Sequence, residues 1–385
     1  MDNSISKNEE ELCRRFSSEF GTSPAKIILS PGRVNLIGEH TDYNGGFVLP
    51  MAIDRYLVLA VQKRKDNLVK VVSTDFKERI EFSTSSLEKV EFSWGEYIKG
   101  CCWALQEKGH ALRGFEAVIS SNIPVGASLS SSAALELAIL RAAAYSSDID
   151  WDPVAMAKLG QHAENDWVGM NCGVMDQMIC ACGRKNHALL IDCRDVILRN
   201  CPLPQNSSIV ILDTTTRRGL VDSAYNERRK QCFEAAAIMN VELLRSADID
   251  LLRQHKKQLS ALSYMRAKHI IYENKRVLQA AEAMENDDGA RLGKLMYDSH
   301  LSLRDDFEVS GDALNVMVEC AMEHQACLGA RMTGAGFAGC AIALVEKGRE
   351  QEFIHEVGAG YRKRMDVQPQ LYVCNASEGT AIKPV

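Results

Sequence analysis

The first third of the chain carries its apolar residues in short runs broken by polar or glycine-containing stretches. KIIL (26–29) ends at Ser30-Pro31-Gly32, RVNLI (33–37) follows, and FVLPMAI (47–53) resumes after a polar loop. This spacing predicts β structure over 26–54, with a turn at Ser30-Pro31-Gly32 and a tight hairpin turn at Asn44-Gly45, a dipeptide that accepts left-handed backbone. YLVLAV (56–61), VKVVS (69–73), RIEFS (79–83) and FEAVIS (115–120) read as further strands, with a helix over about 95–107. A Ser-rich loop then leads into a long Ala/Leu-rich helix at 124–146. Asp152-Pro153 sets an N-cap before a proline at the first helical position, and Gly169 closes that helix. Its apolar residues Ala155, Leu159, Ala163 and Trp167 recur every fourth position, which predicts a buried face.

HALLIDC (187–193) and SSIVILDT (207–214) read as strands on either side of a domain border at Pro202 to Ser208. Beyond it the pattern predicts helices over about 222–240, 268–286 and 311–326, and strands at GCAIALV (339–345) and QLYVC (370–374). A chain of 385 residues exceeds the size at which one hydrophobic core stops growing. The expected architecture is therefore α+β in two domains, 1–205 and 206–385, with a cleft between them. The final strand has the option of packing back on the first domain.

Composition narrows the function. Hydrophobic residues at 46% and charged residues at 25% describe an ordinary globular chain rather than a disordered one. A net charge of -6 gives no general attraction for nucleic acid or an anionic membrane, so any bound anion must be held by a local site. The 13 cysteines show no CxxC and no clustered histidines at zinc spacing, which fits a reduced cytoplasmic location. The polar start MDNSISKNEEELCRRF predicts no secretory signal, and the longest apolar runs, such as Phe337 to Val345, are too short to span a bilayer.

Three segments carry the chemistry. In Ser30–Gly46, Glu39, His40 and Asp42 offer several hydrogen-bonding groups suited to a hydroxyl-rich ligand, with the permanent charge of Arg33 just before them. A solvated surface loop is the plain alternative. In PVGASLSSSA (124–133), small hydroxyl residues run straight into a helix whose first turn has no Asp or Glu. Its amides are left open, an anion site that needs no lysine, although serines that merely cap the helix are the commoner outcome. MTGAGFAGC (332–340) spells GxGxxG, but the glycines lead into a strand rather than a helix, so the dinucleotide-fold reading fails on context. What remains is close backbone approach to a neighbour or ligand, or a simple bulge. Glu164 and Asp166 sit in the last turn of their helix, where the macrodipole disfavours them, and Asp176 is a lone acid among apolar neighbours.

Together, GRVNLIGEHTDYN, PVGASLSSSA, CGVMDQ, HALLIDCR, SHLSLRDDFEVS, MTGAGFAG and LYVC resemble the GHMP kinase superfamily, and within it the galactokinase family, over almost the whole chain. The resemblance implies a first domain of the ribosomal protein S5 domain 2-like fold and a second with ferredoxin-like βαβ elements. It implies an ATP- and Mg2+-dependent sugar 1-kinase opening a route of galactose use. Asp176 and Arg33 match the catalytic pair, and Glu39, His40, Asp42, Gly173 and Tyr225 match residues lining the sugar pocket. Gly126, Ala127, Ser128, Leu129, Ser130, Ser131 and Ser132 match the phosphate loop, Ser132 and Glu164 the Mg2+-binding pair, and Gly334 and Gly336 the supporting glycine motif. Ser128, Ala335 and Ala338 stand where the family usually has glycine, which puts the fit of the loop around phosphate in question. A monomer with no nucleic-acid or membrane partner is the expectation by analogy. The alternatives are a kinase for a galactosamine derivative, another hexose or arabinose, a galactokinase-like sugar sensor with weak catalysis, and a mevalonate- or homoserine-type kinase.

Overall fold

The structure is a computed structural model that describes residues 3–91, 93–124, 126–217 and 221–385. The chain opens with α1 (Asn3–Phe20), β1 (Lys26–Asn35), β2 (Phe47–Val48), β3 (Pro50–Lys63), β4 (Leu68–Ser73) and β5 (Glu78–Ser83). Next come α2 (Trp94–Glu107), β6 (Phe115–Ser121), α3 (Ser131–Ser147), α4 (Pro153–His162), α5 (Met175–Cys182), β7 (His187–Asp192) and β8 (Ile197–Pro202). The second half runs β9 (Ser207–Asp213), α6 (Val221–Ile238), α7 (Ile249–Gln254), α8 (Ala261–Glu285), α9 (Gly289–Asp305) and α10 (Asp312–Met322). It ends with β10 (Cys327–Met332), β11 (Cys340–Glu346), α11 (Glu350–Met365), β12 (Gln370–Cys374) and β13 (Ala381–Pro384).

Strand alternation builds a six-stranded sheet in the order β13-β1-β3-β6-β4-β5, antiparallel except where β4 meets β6. Ile27, Val58, Ala60, Val72 and Val118 on one face pack on Leu12 and Phe16 of α1, while Ile28, Leu59, Val61, Val71 and Ile119 turn to the opposite face, covered by the Ala/Leu-rich α3. Side chains of successive strand residues point to opposite faces, so one apolar run serves two layers. A small antiparallel sheet, β2-β7-β8, lies beside it.

The second half forms a four-stranded antiparallel sheet in the order β10-β11-β9-β12. With helices between β9 and β10 and between β11 and β12, this is the expected ferredoxin-like arrangement. The strand around Tyr372, β12, stays in this sheet against β9, and the one that crosses back is β13, pairing Lys26 with Pro384 and Ile28 with Ile382 of β1.

Several local expectations are corrected. Ser30–Gly32 is no turn: β1 runs through it with a register shift between Pro31 and Arg33, a bulge that re-aims the following side chains. Asn44-Gly45 makes no two-residue hairpin; Asp42–Asn44 form a 3-10 turn that Gly45 ends in left-handed backbone at φ 66°. Ala155 is exposed, because the buried stripe of α4 runs through Met156, Leu159 and Gly160 and continues to Ala163 and Trp167. The Asp152 cap holds, its carboxylate accepting from the Val154 and Ala155 amides, and a π-helical turn at Ala163–Val168 extends α4 up to Gly169. Among the described residues no helix is long and apolar enough to cross a membrane.

Candidate active site

The loop before α3 enters the helix through two serines with left-handed backbone, Ser128 at φ 59° and Ser130 at φ 58°. No side chain caps α3 and its first turn holds no acid, so the leading amides are open and the dipole meets nothing negative. Ala127 and Leu129 point into the core, which leaves only their backbone to the loop's outer side. Left-handed backbone in residues with a Cβ costs roughly 1 kcal/mol each, strain of a kind that collects at functional sites. Gly126 is in left-handed backbone too, with the stem of Arg217 within 3.1 Å of where a Cβ would stand.

Asp176 lies in the first turn of α5, an electrostatically favourable place for a carboxylate. The β1 bulge aims Arg33 at it, and the fork is bidentate: Nε donates to Oδ1 at 2.7 Å and Nη2 to Oδ2 at 2.5 Å. Arg33 Nη1 donates to the Ser128 carbonyl at 2.7 Å, and the Ser130 hydroxyl donates to Asp176 Oδ2. Burial alone would weaken the guanidinium as a base, but the Asp176 carboxylate outweighs it and holds Arg33 above its ordinary value. The catalytic candidates and the phosphate-loop candidates thus form one hydrogen-bonded unit.

The sugar-loop candidates line the adjoining cavity of about 230 Å3. His40 is buried with φ 63°, its Nδ1 accepting from the Tyr43 hydroxyl at 3.0 Å and its Nε2–H donating to the Ala335 carbonyl at 3.2 Å. Burial and the nearby His269 bring its pKa down to about 3, so the ring is neutral. Asp42 is pushed up to about 7 by burial and by the charge of Asp176. Gly173 is required as glycine, since a Cβ would stand 1.9 Å from Asp42 Oδ2. Tyr225 of α6 closes the wall, its ring 5.3 Å from that of His40 and 5.4 Å from that of Tyr43.

Behind Asp176 lies a buried carboxylate pair. Gln177 Nε2 donates to Glu164 Oε2 at 2.6 Å and to Glu136 Oε2 at 2.9 Å. Burial raises both carboxyls above the ordinary range, with repulsion from Glu164 adding to the rise at Glu136 and repulsion from Asp176 to that at Glu164, while hydrogen bonds from Cys172, Gln177 and Ser132 work the other way at Glu164. The Cys172 thiol, itself raised by burial, also donates to Glu164 at 3.2 Å.

The glycine-rich segment joins the two halves of the site. A Cβ on Gly334 would meet Ser128 Cβ at 2.9 Å, and one on Gly339 would meet Ser128 Oγ at 2.9 Å, so this segment backs the phosphate-loop candidate. The Gly334 amide also donates to Glu39 Oε1 at 2.8 Å. Gly336 is pressed against the Val309 carbonyl instead, a packing role away from the cavity. Ala335 and Ala338 are absent from the left-handed positions, which fall on Gly334, Gly336, Phe337 and Gly339, so these two departures from glycine cost no backbone strain.

Arg33, Glu39, His40, Asp42, Glu164, Gly173, Asp176, Tyr225 and Gly334 line one cavity, with Ser130 and Ser132 hydrogen-bonded to its walls. Gly126 and Gly336 do not reach it. Sequence reasoning missed Gln177 and Cys172, although both stand inside the segment that carries Asp176, and Arg331, which immediately precedes Met332. Asn171 and Asn226 also line the wall, with no signal in the sequence to single them out.

The galactokinase galactose-binding signature matches residues 14–63, the GHMP kinase N-terminal domain residues 96–184 and the GHMP kinase C-terminal domain residues 280–363. The galactokinase of Roseiflexus sp. (strain RS-1) is 42% identical over 374 residues, 96% of each chain. The crystal structure of Lactococcus lactis galactokinase complexed with galactose superimposes with a TM-score of 0.94 at 35% identity, covering 97% of this chain and 99% of that one. Methanococcus jannaschii mevalonate kinase, at 20% identity and a TM-score of 0.64 over 91% of this chain and 98% of that one, shares the fold alone.

Proposed function

The chain belongs to the galactokinase family of the GHMP kinases, and from that premise we propose that its cleft transfers the γ-phosphoryl group of ATP to the anomeric hydroxyl of galactose. The observation that carries the reading is the Ser130–Asp176–Arg33 unit, in which one carboxylate touches both the entrance of α3 and the hydroxyl-binding cavity. Phosphoryl transfer asks for positioning and charge neutralisation more than for covalent chemistry. Open amides at the start of α3 and the loop around Ser128 to Ser132 cradle the phosphates.

In the proposed reaction Asp176 accepts the proton of the C1 hydroxyl as that oxygen bonds to the γ-phosphorus. The bond from that phosphorus to the bridging oxygen breaks, and ADP leaves with the electron pair. Arg33 keeps the carboxylate oriented and adds positive charge where negative charge develops. Glu39 and Asp42 accept hydrogen bonds from sugar hydroxyls, and neutral His40 and Tyr225 shape the wall. Two fixed acids make the pocket unsuited to a uronate, whose own carboxylate they would repel.

The donor set at the back of the site, a buried carboxylate beside a hydroxyl, suits a hard oxygen-seeking cation such as Mg2+. Ser132 and Glu164 are the residues that would hold it. Once bound, such an ion neutralises phosphate charge. Gln177 fixes the Glu164 carboxylate from behind by a 2.6 Å bond.

An ATP-coupled assay over a panel of hexoses, arabinose, galactosamine derivatives and a uronate tests the proposal. Galactose is expected to give the highest kcat/KM and the uronate none. Absence of turnover with every sugar would contradict it.

A further inference from the structure

The carboxylate of Glu39 is not simply open to the cavity. Its Oε1 takes the Gly334 amide at 2.8 Å and Nη1 of Arg331 at 3.2 Å. Arg331 sits on β10, in the sheet of the second half, yet its side chain is fully buried and reaches the end of β1, where Nη1 also donates to the Asn35 carbonyl at 2.9 Å. It is not among the residues that line the cavity. Its Nε and Nη2 are buried without a hydrogen-bond partner among the described residues. Burying a guanidinium with unmet donors is costly, and an apolar side chain of similar volume would often fill the same space with no loss of stability. A cost kept beside a binding wall is a sign of function rather than of packing.

The surrounding charges explain what this burial accomplishes. Three histidines face the region, and burial holds all of them neutral: His40 at about 3, His269 of α8 at about 4 and His300 of α9 at about 3. Asp42 and Asp176 are acids, and Arg33, the other cation near Glu39, is committed to its fork with Asp176. Among the described residues Arg331 is the cation in hydrogen-bond contact with Glu39; it also faces the buried Glu273 of α8, which has its own ion pair with Arg276 at 2.7 Å. Burial pushes the Glu39 carboxyl up, and Arg331 is the strongest influence in the opposite direction.

Resting on the galactose-kinase reading above, we propose that Arg331 is a positioning residue: it touches no substrate, but clamps Glu39 between its guanidinium and the Gly334 amide so that the carboxylate presents a fixed acceptor to a sugar hydroxyl. Sugar affinity is therefore set in part from β10, in the other sheet, by a residue packed against the loop that makes the contact.

The test uses steady-state kinetics of the full-length protein over pH 6 to 9, with Arg331→Met, Arg331→Lys, Glu39→Gln and the double variant Glu39→Gln/Arg331→Met. Loss of a charge-assisted hydrogen bond at the sugar predicts that Arg331→Met raises the galactose KM about tenfold or more at neutral pH. The ATP KM should stay within about twofold, because the sugar and phosphate contacts are separate. The galactose defect should shrink as pH rises and the unpaired Glu39 ionises, and Arg331→Lys should restore most of the affinity with a flat profile. The double variant should match Glu39→Gln alone, since Arg331 acts only through that carboxylate. A galactose KM near the wild-type value in Arg331→Met, an equal loss for ATP and galactose, or additive losses in the double variant would overturn the inference. Should Arg331→Met fail to fold, the double variant decides, because it no longer buries an unpaired carboxylate. Folding with the kinetics of Glu39→Gln supports the clamp, and failure to fold refutes it. Wild-type protein inactive on galactose would instead sink the substrate reading, a distinguishable result.

Discussion

Arg33 grips Asp176 with two parallel hydrogen bonds while its third nitrogen holds the Ser128 carbonyl, so a single guanidinium ties the general-base candidate to the loop that leads into α3. That fork needs a planar donor pair, which lysine cannot supply. Arg33→Lys should therefore keep the fold but lower kcat by about tenfold or more, and Arg33→Met by about a hundredfold, as expected for loss of an oriented acceptor and of transition-state charge stabilisation. Rapid-quench measurement of phosphoryl transfer checks both; a lysine variant at wild-type rate would show that the fork geometry is dispensable.

The raised pKa of Asp42, about 7, gives a pH signature. In the free protein the folded state holds this proton more tightly than the unfolded chain, whose carboxyl titrates near 3.8. The stabilisation is complete below that lower value and is lost as pH rises through about 7. Asp42→Asn, which stays neutral, should therefore gain in Tm relative to the parent as pH rises from about 4 to 7, with the difference constant above that. In the proposed binding mode galactose hydrogen-bonds to the ionised acceptor, so its KM should rise as pH falls below about 7, approaching tenfold per unit, with a flat profile in Asp42→Asn. His40, already neutral at these pH values, does not contribute.

Gly334 stands at φ 82°, within 2.9 Å of Ser128 through the position a Cβ would take, whereas Ala335 has ordinary backbone. Gly334→Ala should strain the segment by about 1 kcal/mol or more and push Ser128 outward. The expected readout is a several-fold or greater rise in the ATP KM, while Ala335→Gly leaves it within about twofold. Equal effects of the two substitutions would separate this segment from the nucleotide loop.

Glu164 and Glu136 share the amide of Gln177 at 2.6 and 2.9 Å, two buried acids side by side. Replacing Glu164 with Gln removes one acid and its repulsion, so thermal unfolding without Mg2+ should move upward by a few degrees. The Mg2+ concentration for half-maximal activity should rise about tenfold or more. Unchanged Mg2+ dependence would take Glu164 out of the ion-binding role.

Where the hydrophobic pattern was strong and local, the fold was legible. Asp152-Pro153 marks its helix start because capping is decided by neighbouring backbone, and the strands from 56 to 120 follow from runs of apolar residues long enough to cover two faces. The turn assigned to Ser30-Pro31-Gly32 failed because pairing with β3 on both sides of it overrides the local preference and turns a break into a bulge. The strand Cys327–Met332 was missed, since its residue Arg331 reads as surface in any alternation pattern and is buried only because Glu39 waits across the cleft. The helix Glu350–Met365 was missed too, though Phe353, Val357 and Tyr361 repeat every fourth residue; so sparse a stripe is hard to separate from a polar stretch. At the site, residue type alone left Asp176, Arg33 and the sugar-loop acids open, and the resemblance to the family's motifs singled them out. It did not reveal that Ser130 serves Asp176 rather than capping α3, a partnership between positions 46 apart that only the tertiary structure creates.

In the proposed mechanism Asp176 takes the proton of the sugar hydroxyl beside the start of α3. Single-turnover transfer from γ-labelled ATP to galactose by Asp176→Asn, measured together with ATP affinity, tests it most directly. The expected rate is at least about a hundredfold below the parent, with ATP binding within about twofold. A variant that transfers phosphate at more than about half the parent rate would contradict it.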